Sequence, residues 1–357
     1  MQYSLFPELE VKKINVFPST RYQGSKAKFV DWIWYELSKL KFHTALDAFG
    51  GTGSVAYKLK NEGKKVTYND ILPFNSIIGK ALIENDSITL NKDDIENILT
   101  EHKTIKYPSF IENNFKDIYY TDEENHWLDV IRLNISLLDN EYKRAIAWFA
   151  LFQACIIKRP YNLFHRKNLY VRLSEVQRSF GNKKTWDTPF ENHFRHFIEE
   201  ANDAVFDNGQ HCKSLNQDAL QIKEPYDLVY IDTPYLNEKG IGVDYADFYH
   251  FLNGLVDYEN WENKIDFQSK HRRLKKEYSI WNDKNNIING FKSLMLNFQR
   301  SILIFSYRSN GIPSIDELAD LLSKIGRKVE IKLSGEMKYA LSDTVTQEVL
   351  IISHPVI

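Results

Sequence analysis

The chain has 357 residues, of which 43% are hydrophobic and 26% are charged. That is enough to bury a sizeable core, most simply as one large domain carrying an insertion, and it excludes a peptide, a coiled coil and a disordered tail. The formal net charge is −2, so the chain as a whole does not coat nucleic acid or membranes by charge alone. Any contact with a polyanion must use a local patch.

Cysteine and hydropathy patterns favour a cytoplasmic protein. Cys155 and Cys212 are the only cysteines, too few for a cysteine zinc cluster or a disulfide framework, which fits a reducing compartment. The longest apolar stretch, Ala145 to Ile157, is shorter than the roughly 20 residues that a bilayer requires, so we expect a buried helix there and no contact with a membrane. Residues 1–13 show no pattern of a secretory signal.

The predicted elements begin with a βαβ-like unit. A helix near Lys28 to Leu40 precedes an apolar strand at 44–49, a glycine turn, a helix near Ser54 to Asn61 and a second strand at 64–70. Alternation of this kind favours a parallel sheet.

From about residue 83 to residue 206 the pattern changes to long helical stretches with almost no strand-like runs. An amphipathic helix is predicted at 315–326, and strand patterns resume at 227–232, 301–307, 328–335 and 346–353. The sheet is therefore built from both ends of the chain. We predict an α/β fold in which residues 1–85 and 207–357 form one discontinuous domain around a mostly helical insertion of residues 86–206.

Positive charge is concentrated in that insertion. Between Cys155 and Trp186 eight basic residues stand against one acid, Glu175, which points to a polyanion at one surface. The same segment holds aromatic and amide side chains that can stack on bases or bond their edges. A solvated basic loop is the alternative. The candidate nucleic-acid contacts are Arg159, Tyr161, Asn162, His165, Arg166, Lys167, Arg172, Lys183 and Lys184. A second basic run, 270–276, is weaker evidence, because short basic runs are often only solvated.

A glycine-rich turn, DAFGGTG at residues 47–53, lies where the first strand gives way to a helix. Glycine there lets the backbone approach a ligand closely. Asp70 ends the next strand, where an acid in Rossmann-type folds accepts hydrogen bonds from ribose hydroxyls. The full G-x-G-x-x-G spacing is absent, and Asp47 would repel phosphates but attract an ammonium or sulfonium group. These residues favour S-adenosyl-L-methionine over NAD as the cofactor.

The tetrapeptide DTPY, residues 232–235, follows an apolar strand directly. The carboxyl ends of parallel strands are where ligands bind in open α/β sheets. The Asp232 carboxylate and the Thr233 carbonyl can accept the two hydrogens of an exocyclic amino group, Pro234 stiffens the turn, and Tyr235 can stack on a base. An ordinary turn at the end of a strand is the alternative for this tetrapeptide taken alone.

These motifs resemble those of a known family. DAFGGTG and DTPY resemble the D-x-F-x-G-x-G and D-P-P-Y signatures of DNA amino-methyltransferases, and their order is similar to that of the Dam-like adenine-specific class. RYQGSK, residues 21–26, resembles the Gly-Lys motif that precedes the cofactor loop in that class. The resemblance extends from Arg21 to Ser353 and implies a Rossmann-like methyltransferase sheet with helices on both faces. Thr233 departs from the pattern, since it replaces the first proline.

The resemblance also implies a function and a set of site residues. The expected activity is transfer of a methyl group from S-adenosyl-L-methionine to the N6 amino group of an adenine flipped out of double-stranded DNA, without a metal. The expected setting is a restriction–modification system, with a cognate restriction endonuclease acting on the same site. The cofactor-binding residues that we predict are Tyr22, Lys26, Asp47, Phe49, Gly51, Gly53, Asp70, Asp218 and Asp232, where Asp70 would hold the ribose and Asp218 the adenine of the cofactor.

Three other functions stay open at this point. An enzyme of the same fold could methylate the exocyclic amine of cytosine, although Asp232 favours adenine. A non-catalytic DNA-binding protein could retain the fold without the activity, and a nicotinamide-dependent oxidoreductase is a more distant alternative. Transfer to carbon-5 of cytosine is disfavoured, because it needs a cysteine nucleophile after a proline, and neither cysteine follows one.

Overall fold

The structure is a computed structural model that describes residues 15–175, 183–237, 240, 242–309, 311–334, 337–338 and 345–355. Three features of the sequence lie outside the described residues: the stretch 1–13, Arg178 in the basic segment, and Gly335 at the end of one predicted strand.

The strands form one large mixed sheet and a small hairpin. In chain order they are β1 (Thr44–Asp47), β2 (Lys65–Asn69), β3 (Lys213–Leu215), β4 (Leu228–Ile231), β5 (Ile302–Arg308), β6 (Lys328–Leu333), β7 (Met337–Lys338), β8 (Val345–Thr346) and β9 (Glu348–His354). Among the described residues, seven strands make one sheet in the order β3-β2-β1-β4-β5-β9-β6, and β7 pairs with β8. The pairs formed among β1 to β5 are all parallel, whereas β9 is antiparallel to both β5 and β6.

The strand order reverses between β1 and β4. From β1 the chain continues to β2 on one side, whereas from β4 it continues to β5 on the other side. In an open parallel sheet such a reversal leaves a crevice outside the carboxyl ends of the two central strands, because their following loops diverge. The loop after β1 starts at Ala48 and the loop after β4 starts at Asp232, so both sequence motifs meet at this crevice.

Helices cover the sheet and fill the long connection between β2 and β3. They are α1 (Val30–Leu37), α2 (Ser54–Asn61), α3 (Pro73–Gly79), which continues as a π-helical turn (Lys80–Glu84), α4 (Lys92–Leu99), α5 (Phe110–Asn114), α6 (Asp122–Ser136), α7 (Glu141–Ile157), α8 (Leu169–Leu173), α9 (Lys183–Asp187), α10 (Phe190–Ala204), α11 (Tyr245–Phe248), α12 (His250–Val256), α13 (Trp261–Lys264), α14 (Ile287–Asn297) and α15 (Ile315–Lys324).

Most predicted elements are confirmed. The βαβ unit, the strands in the carboxyl-terminal half, the amphipathic helix now labelled α15 and the buried helix α7 all lie where the sequence pattern puts them. The sequence patterns did not predict α14 or the short helices between β4 and β5, and two features of the sheet were also not predicted. β3 has only three residues, too few for a period-2 pattern, and β9 runs antiparallel, which alternation of strands and helices does not indicate.

Two apolar clusters lie on opposite faces of the sheet, as alternate residues of each central strand require. Ala45 and Leu228 belong to a cluster with α1, α2 and α3. Leu46 and Val229 belong to a second cluster with α14 and α15. The predicted sheet with helices on both faces is therefore confirmed.

The helical stretch between β2 and β3 shares the first of these clusters. α7 packs against α3 and α10, and the ring of Phe152 in α7 contacts Phe74 in α3 edge to face at 5.6 Å. Buried side chains from α6, α7 and α10 continue into the core under the sheet without a break. None of the helices in the described ranges has the length and apolar composition needed to span a bilayer.

A second piece of chain, residues 245–279 between β4 and β5, packs on the same helices. Trp261 in α13 contacts the rings of Phe110 and Phe115 at 5.4 and 4.8 Å. Gly254 lies against Trp261, since a Cβ there would come within 1.9 Å of the indole. The carboxyl-terminal half of the chain thus helps to build the helical region.

Replacing Phe152 with alanine should lower the free energy of unfolding by about 3–5 kcal/mol, because it empties a site in a core that α7 shares with α3. We expect one calorimetric transition to move as a whole. Leu137→Ala, at a side chain that is 56% exposed, is the control and should change stability by less than about 0.5 kcal/mol. A separate low-temperature transition beside an unmoved main one would contradict a continuous core.

Candidate active site

A cavity of about 540 Å³ opens at the crevice between the carboxyl ends of β1 and β4. All the predicted cofactor-binding and catalytic residues except Gly53 line it, together with aromatic residues that follow β4. Gly53 instead begins α2, with a φ of +81°. The structure therefore brings together the residues at 22–26, 47–51, 70, 218 and 232–235 that the sequence places far apart.

Glycines shape the loop that follows β1. At Gly50 a Cβ would lie 2.0 Å from the ring of Tyr68, so no other residue fits there without a shift. Gly51 has a φ of +52°, which side chains disfavour. Its N–H donates to Oδ2 of Asp70 at 2.9 Å, and this bond ties the loop to the end of β2.

Asp70 is held by three donors. Its carboxylate accepts from the N–H groups of Gly51 and Leu72, at 2.9 and 2.8 Å, and from Nδ2 of Asn75 at 3.1 Å. Burial raises the pKa of Asp70 to about 6, against the effect of these hydrogen bonds. A carboxylate has about four acceptor positions, so Asp70 keeps capacity for a hydroxyl donor in the cavity.

Asp47 is buried with one oxygen unsatisfied. Its side chain is 1% exposed, and Oδ1 has no hydrogen-bond partner within the described part of the chain. Burial, together with the nearby carboxylates of Asp232 and Asp70, raises the pKa of Asp47 to about 8. An unpaired acid in this position suits a cationic group in the cavity, which would lower the pKa again.

The acid of the DTPY motif belongs to a tight polar cluster. Tyr235 donates from its hydroxyl to Oδ1 of Asp232 at 2.5 Å, and the Lys26 ammonium lies 3.3 Å from the same oxygen. Lys26 also donates to the Tyr235 hydroxyl at 2.6 Å. Burial raises the pKa of Asp232 to about 6, although the Lys26 charge opposes the rise. Thr233 and Pro234 follow at the cavity wall.

Glu348 completes this cluster, and the motif search missed it. Its carboxylate accepts from Lys26 Nζ at 2.5 Å and from Ser306 Oγ at 2.7 Å. The residue is 1% exposed at the first position of β9. In the sequence, Glu348 is a single acid at the start of an otherwise apolar strand. An acid in a buried strand normally has a charged or hydrogen-bonding partner, and this pattern could have pointed to the residue.

Aromatic rings form much of the remaining wall. Tyr22 stacks on Tyr249 and Tyr245, with ring centroids 4.5 and 5.6 Å apart and planes within 7°. Phe49 meets the edge of Trp281 at 5.1 Å. Of the aromatic segment 245–255, Tyr245 lines the cavity, whereas Tyr249 and Phe251 are buried in the core.

Two of the candidate nucleic-acid contacts are internal. Arg159 is 1% exposed; it donates to the carbonyls of Leu163 and Tyr119 and lies over the Tyr119 ring at 4.2 Å. Arg172 is 4% exposed and forms an ion pair with Glu124 at 2.7 Å. Their placement contradicts the predicted contact with nucleic acid, because buried guanidinium groups engaged with the protein cannot reach phosphates. We assign both to the core of the helical region.

The other candidates lie at or near the surface. Asn162 and His165 are half-buried, and burial lowers the pKa of His165, whose ring packs on Phe248 at 5.3 Å. Tyr161 is 51% exposed. The remaining basic side chains are exposed: Arg166, Lys167, Lys183 and Lys184.

The two basic runs of the sequence meet in space. A groove of about 480 Å³ is lined by Lys167 from the first run, by Lys270 and Arg272 from the second, and by Lys116. The second run was the weaker signal in the sequence, because a short basic run does not reveal what lies beside it. Here Lys167 of the first run lines the same groove as Lys270 and Arg272 of the second, and this groove with Lys116 is the positive surface.

Comparisons with known proteins decide the family. The model of the D12 class N6 adenine-specific DNA methyltransferases matches residues 22–304. The chain belongs to this family. It is also 31% identical over 324 residues to type II methyltransferase M2.HphI of Haemophilus parahaemolyticus, which covers 88% of this chain and 90% of that protein.

Other relatives of this methyltransferase are more distant. Type II methyltransferase M.NlaIII of Neisseria lactamica is 22% identical over 317 residues, covering 86% of this chain and 88% of that protein. Modification methylase LlaI of Lactococcus lactis subsp. lactis is 25% identical over 340 residues, and this chain spans only 52% of its length.

The family finding confirms the resemblance drawn from the motifs and the prediction of an adenine-specific DNA methyltransferase. It does not favour the cytosine-methylating enzyme or the non-catalytic DNA-binding protein. A methyl donor and a DNA substrate follow from membership in the family.

Asp47→Asn should change how the stability of this methyltransferase depends on pH. The folded protein binds the Asp47 proton more tightly than the unfolded chain, so this group stabilises the fold fully below about pH 4 and loses that effect as the pH rises through about 8. In the absence of ligand, the variant should gain stability relative to the parent between pH 5 and 8, by up to about 1.4 kcal/mol per pH unit. Urea unfolding at each pH gives the free energy of unfolding of both proteins. The prediction is contradicted if the difference between parent and variant is the same at every pH.

Proposed function

We propose that this chain transfers a methyl group from S-adenosyl-L-methionine to the N6 amino group of an adenine turned out of double-stranded DNA, as the modification enzyme of a restriction–modification system. One observation carries the proposal: Asp232 and Tyr235, at the end of β4, open into the same cavity as Asp47, Gly51 and Asp70. A donor and an acceptor bound there would share one space.

The residues around the cavity fit this methyl donor. Asp47 offers a buried, unpaired carboxyl oxygen for the ammonium of its amino acid part. Asp70 keeps acceptor capacity for the ribose hydroxyls of the donor. Asp218, in the loop after β3, lines the cavity and would accept a hydrogen bond from the amino group of the donor's adenine. Tyr22 and Phe49 supply aromatic surface. Three acids also disfavour a dinucleotide, because its phosphates would be repelled.

The catalytic contribution of the chain comes from Asp232 and its neighbours. Lys26 and Tyr235 both bind Oδ1, which leaves Oδ2 to accept one hydrogen of the target amine. The Thr233 carbonyl would accept the second hydrogen, and together they localise the nitrogen lone pair. The donor would supply an electrophilic methyl group: the amine nitrogen would form the new bond to carbon as the carbon–sulfur bond breaks, and its proton would pass to the Asp232 carboxylate and from there to water.

Turning a base out of duplex DNA costs a few kcal/mol of pairing and stacking. The positive surface formed by the two basic runs can offset part of this cost by binding phosphates. It lies on the helical region, which we propose as the target-recognition part, together with residues 245–279. Tyr161 and Asn162 are near enough in sequence to Arg166 and Lys167 to contact bases there.

The setting in a restriction–modification system is supported by the relatives, which include type II methyltransferases and modification methylases. We propose that a cognate restriction endonuclease acts on the same DNA site. DNA methylated by the purified protein should yield N6-methyladenine on nucleoside analysis, and sequencing should place it in one short context. N4-methylcytosine as the product would contradict the proposal.

Asp232→Asn should lower the rate of methyl transfer by at least about 100-fold, because the neutral amide oxygen is a weaker acceptor than the carboxylate and does not stabilise the positive charge that develops on the amine nitrogen. Labelled methyl transfer to duplex DNA measures the rate. Binding of S-adenosyl-L-methionine, by calorimetry, and of DNA, by gel shift, should persist within a few-fold. A near-native rate would rule out the role given to Asp232.

Replacing Lys167 and Lys270 together with alanine should weaken DNA binding and lower the slope of log K against log salt by about 2, since each phosphate contact contributes about 0.9. The double variant takes one residue from each basic run. Lys324→Ala with Lys328→Ala removes the same charge from exposed positions outside the groove and should leave the slope unchanged. Equal slopes in both double variants would exclude the groove as a DNA contact.

A further inference from the structure

Glu348 is fixed by contacts on every side. Its backbone N–H donates to Ser334 Oγ at 3.0 Å, and its carbonyl accepts from the Ser334 N–H at 2.9 Å. Ser306, in the neighbouring strand β5, donates to its carboxylate at 2.7 Å. A side chain held in this way is a rigid reference point in the sheet, and it lies directly behind the cavity.

The Lys26 ammonium lies between two carboxylates of different position. Glu348 Oε1 is 2.5 Å from Nζ, whereas Asp232 Oδ1 is 3.3 Å from it. Lys26 is 7% exposed and Glu348 is 1% exposed, whereas Asp232 lines the cavity. The attraction between two charges is stronger at a shorter distance and in a buried, low-dielectric place. The ion pair of Lys26 with the buried Glu348 is therefore the stronger of the two.

This geometry keeps the ammonium closer to Glu348 than to the reacting carboxylate of Asp232. Lysine has a long flexible side chain with three donors. Without the ion pair to Glu348 at 2.5 Å, the ammonium is no longer drawn away from Asp232, so Lys26 Nζ can pair with Asp232 more closely than 3.3 Å. A closer pair would withdraw more negative charge from the Asp232 carboxylate and make its Oδ2 a weaker acceptor for the amine of the target base.

We propose that Glu348 is a positioning residue for methyl transfer, which anchors Lys26 and thereby keeps Asp232 open to accept a hydrogen of the target amine. The inference rests on the proposed function and goes beyond it, because no part of the DTPY or glycine motifs includes Glu348. Tyr235 depends on the same anchor, since its hydroxyl accepts from Lys26 and donates to Asp232.

The charge around Asp232 gives this role a signature. The described titratable groups that face it are Lys26, Asp47, Tyr230, Tyr235, Tyr245 and Glu348. Glu348 raises the pKa of Asp232, whereas Lys26 lowers it. Neutralising Glu348 should therefore lower the pKa of Asp232, and the acid limb of the kcat–pH profile should move to lower pH.

The test compares Glu348→Gln with Glu348→Asp and with Glu330→Gln, the same substitution at a partly exposed position of β6. We expect Glu348→Gln to lower kcat roughly tenfold with KM for S-adenosyl-L-methionine and DNA within about threefold, and to shift the acid limb downward. Glu348→Asp keeps the negative charge, so the acid limb of its kcat–pH profile should lie where the parent has it. Glu330→Gln should match the parent.

Two results would overturn the proposal: an unchanged kcat and acid limb in Glu348→Gln, or a loss of activity that follows only the loss of folded protein while the pH profile stays fixed. If Glu348→Gln does not fold, Ser306→Ala takes its place, and no fall in kcat per folded molecule would count against the role. Failure of the parent protein to methylate DNA would instead refute the proposed function itself.

Discussion

The reversal of strand order between β1 and β4 is the constraint on which this site depends. It opens the sheet at one point, and both loops that leave from that point carry an acid at their base, Asp47 and Asp232. Neither acid could face the other if the strands were ordered consecutively. The lysine that pairs with Asp232, Lys26, comes from a third element, the segment before α1, and its closer partner Glu348 comes from β9.

The cavity therefore concentrates negative charge in a buried place. Asp47, Asp70 and Asp232 all have a pKa raised by burial, and the charge of Lys26 opposes this rise at Asp232. Such an arrangement lowers the stability of the free protein. This stability is recovered when a cationic ligand binds. The same imbalance explains why an acid stands in the glycine loop, where a phosphate-binding fold would have none.

The fold can be predicted from the sequence where the apolar patterns are long. Candidate site residues can be predicted where an acid directly follows an apolar strand. β1, β4 and the glycine turn have clear apolar runs followed by acids, so Asp47, Asp70 and Asp232 are predicted from local pattern alone. Glu348 escapes because its significance comes from Lys26, more than 300 positions away. Arg159 and Arg172 mislead for the opposite reason: a basic residue in a basic segment looks like a DNA contact, and only packing reveals that carbonyls and Glu124 surround it.

The packing of residues 245–279 against the helical region has an evolutionary consequence. Trp261 is wedged among Phe110 and Phe115, and Lys270 stands beside Lys167. An exchange of the helical stretch alone between relatives would leave Trp261 without its matching surface and split the positive groove in two. The two stretches therefore have to change together if this packing is to be kept.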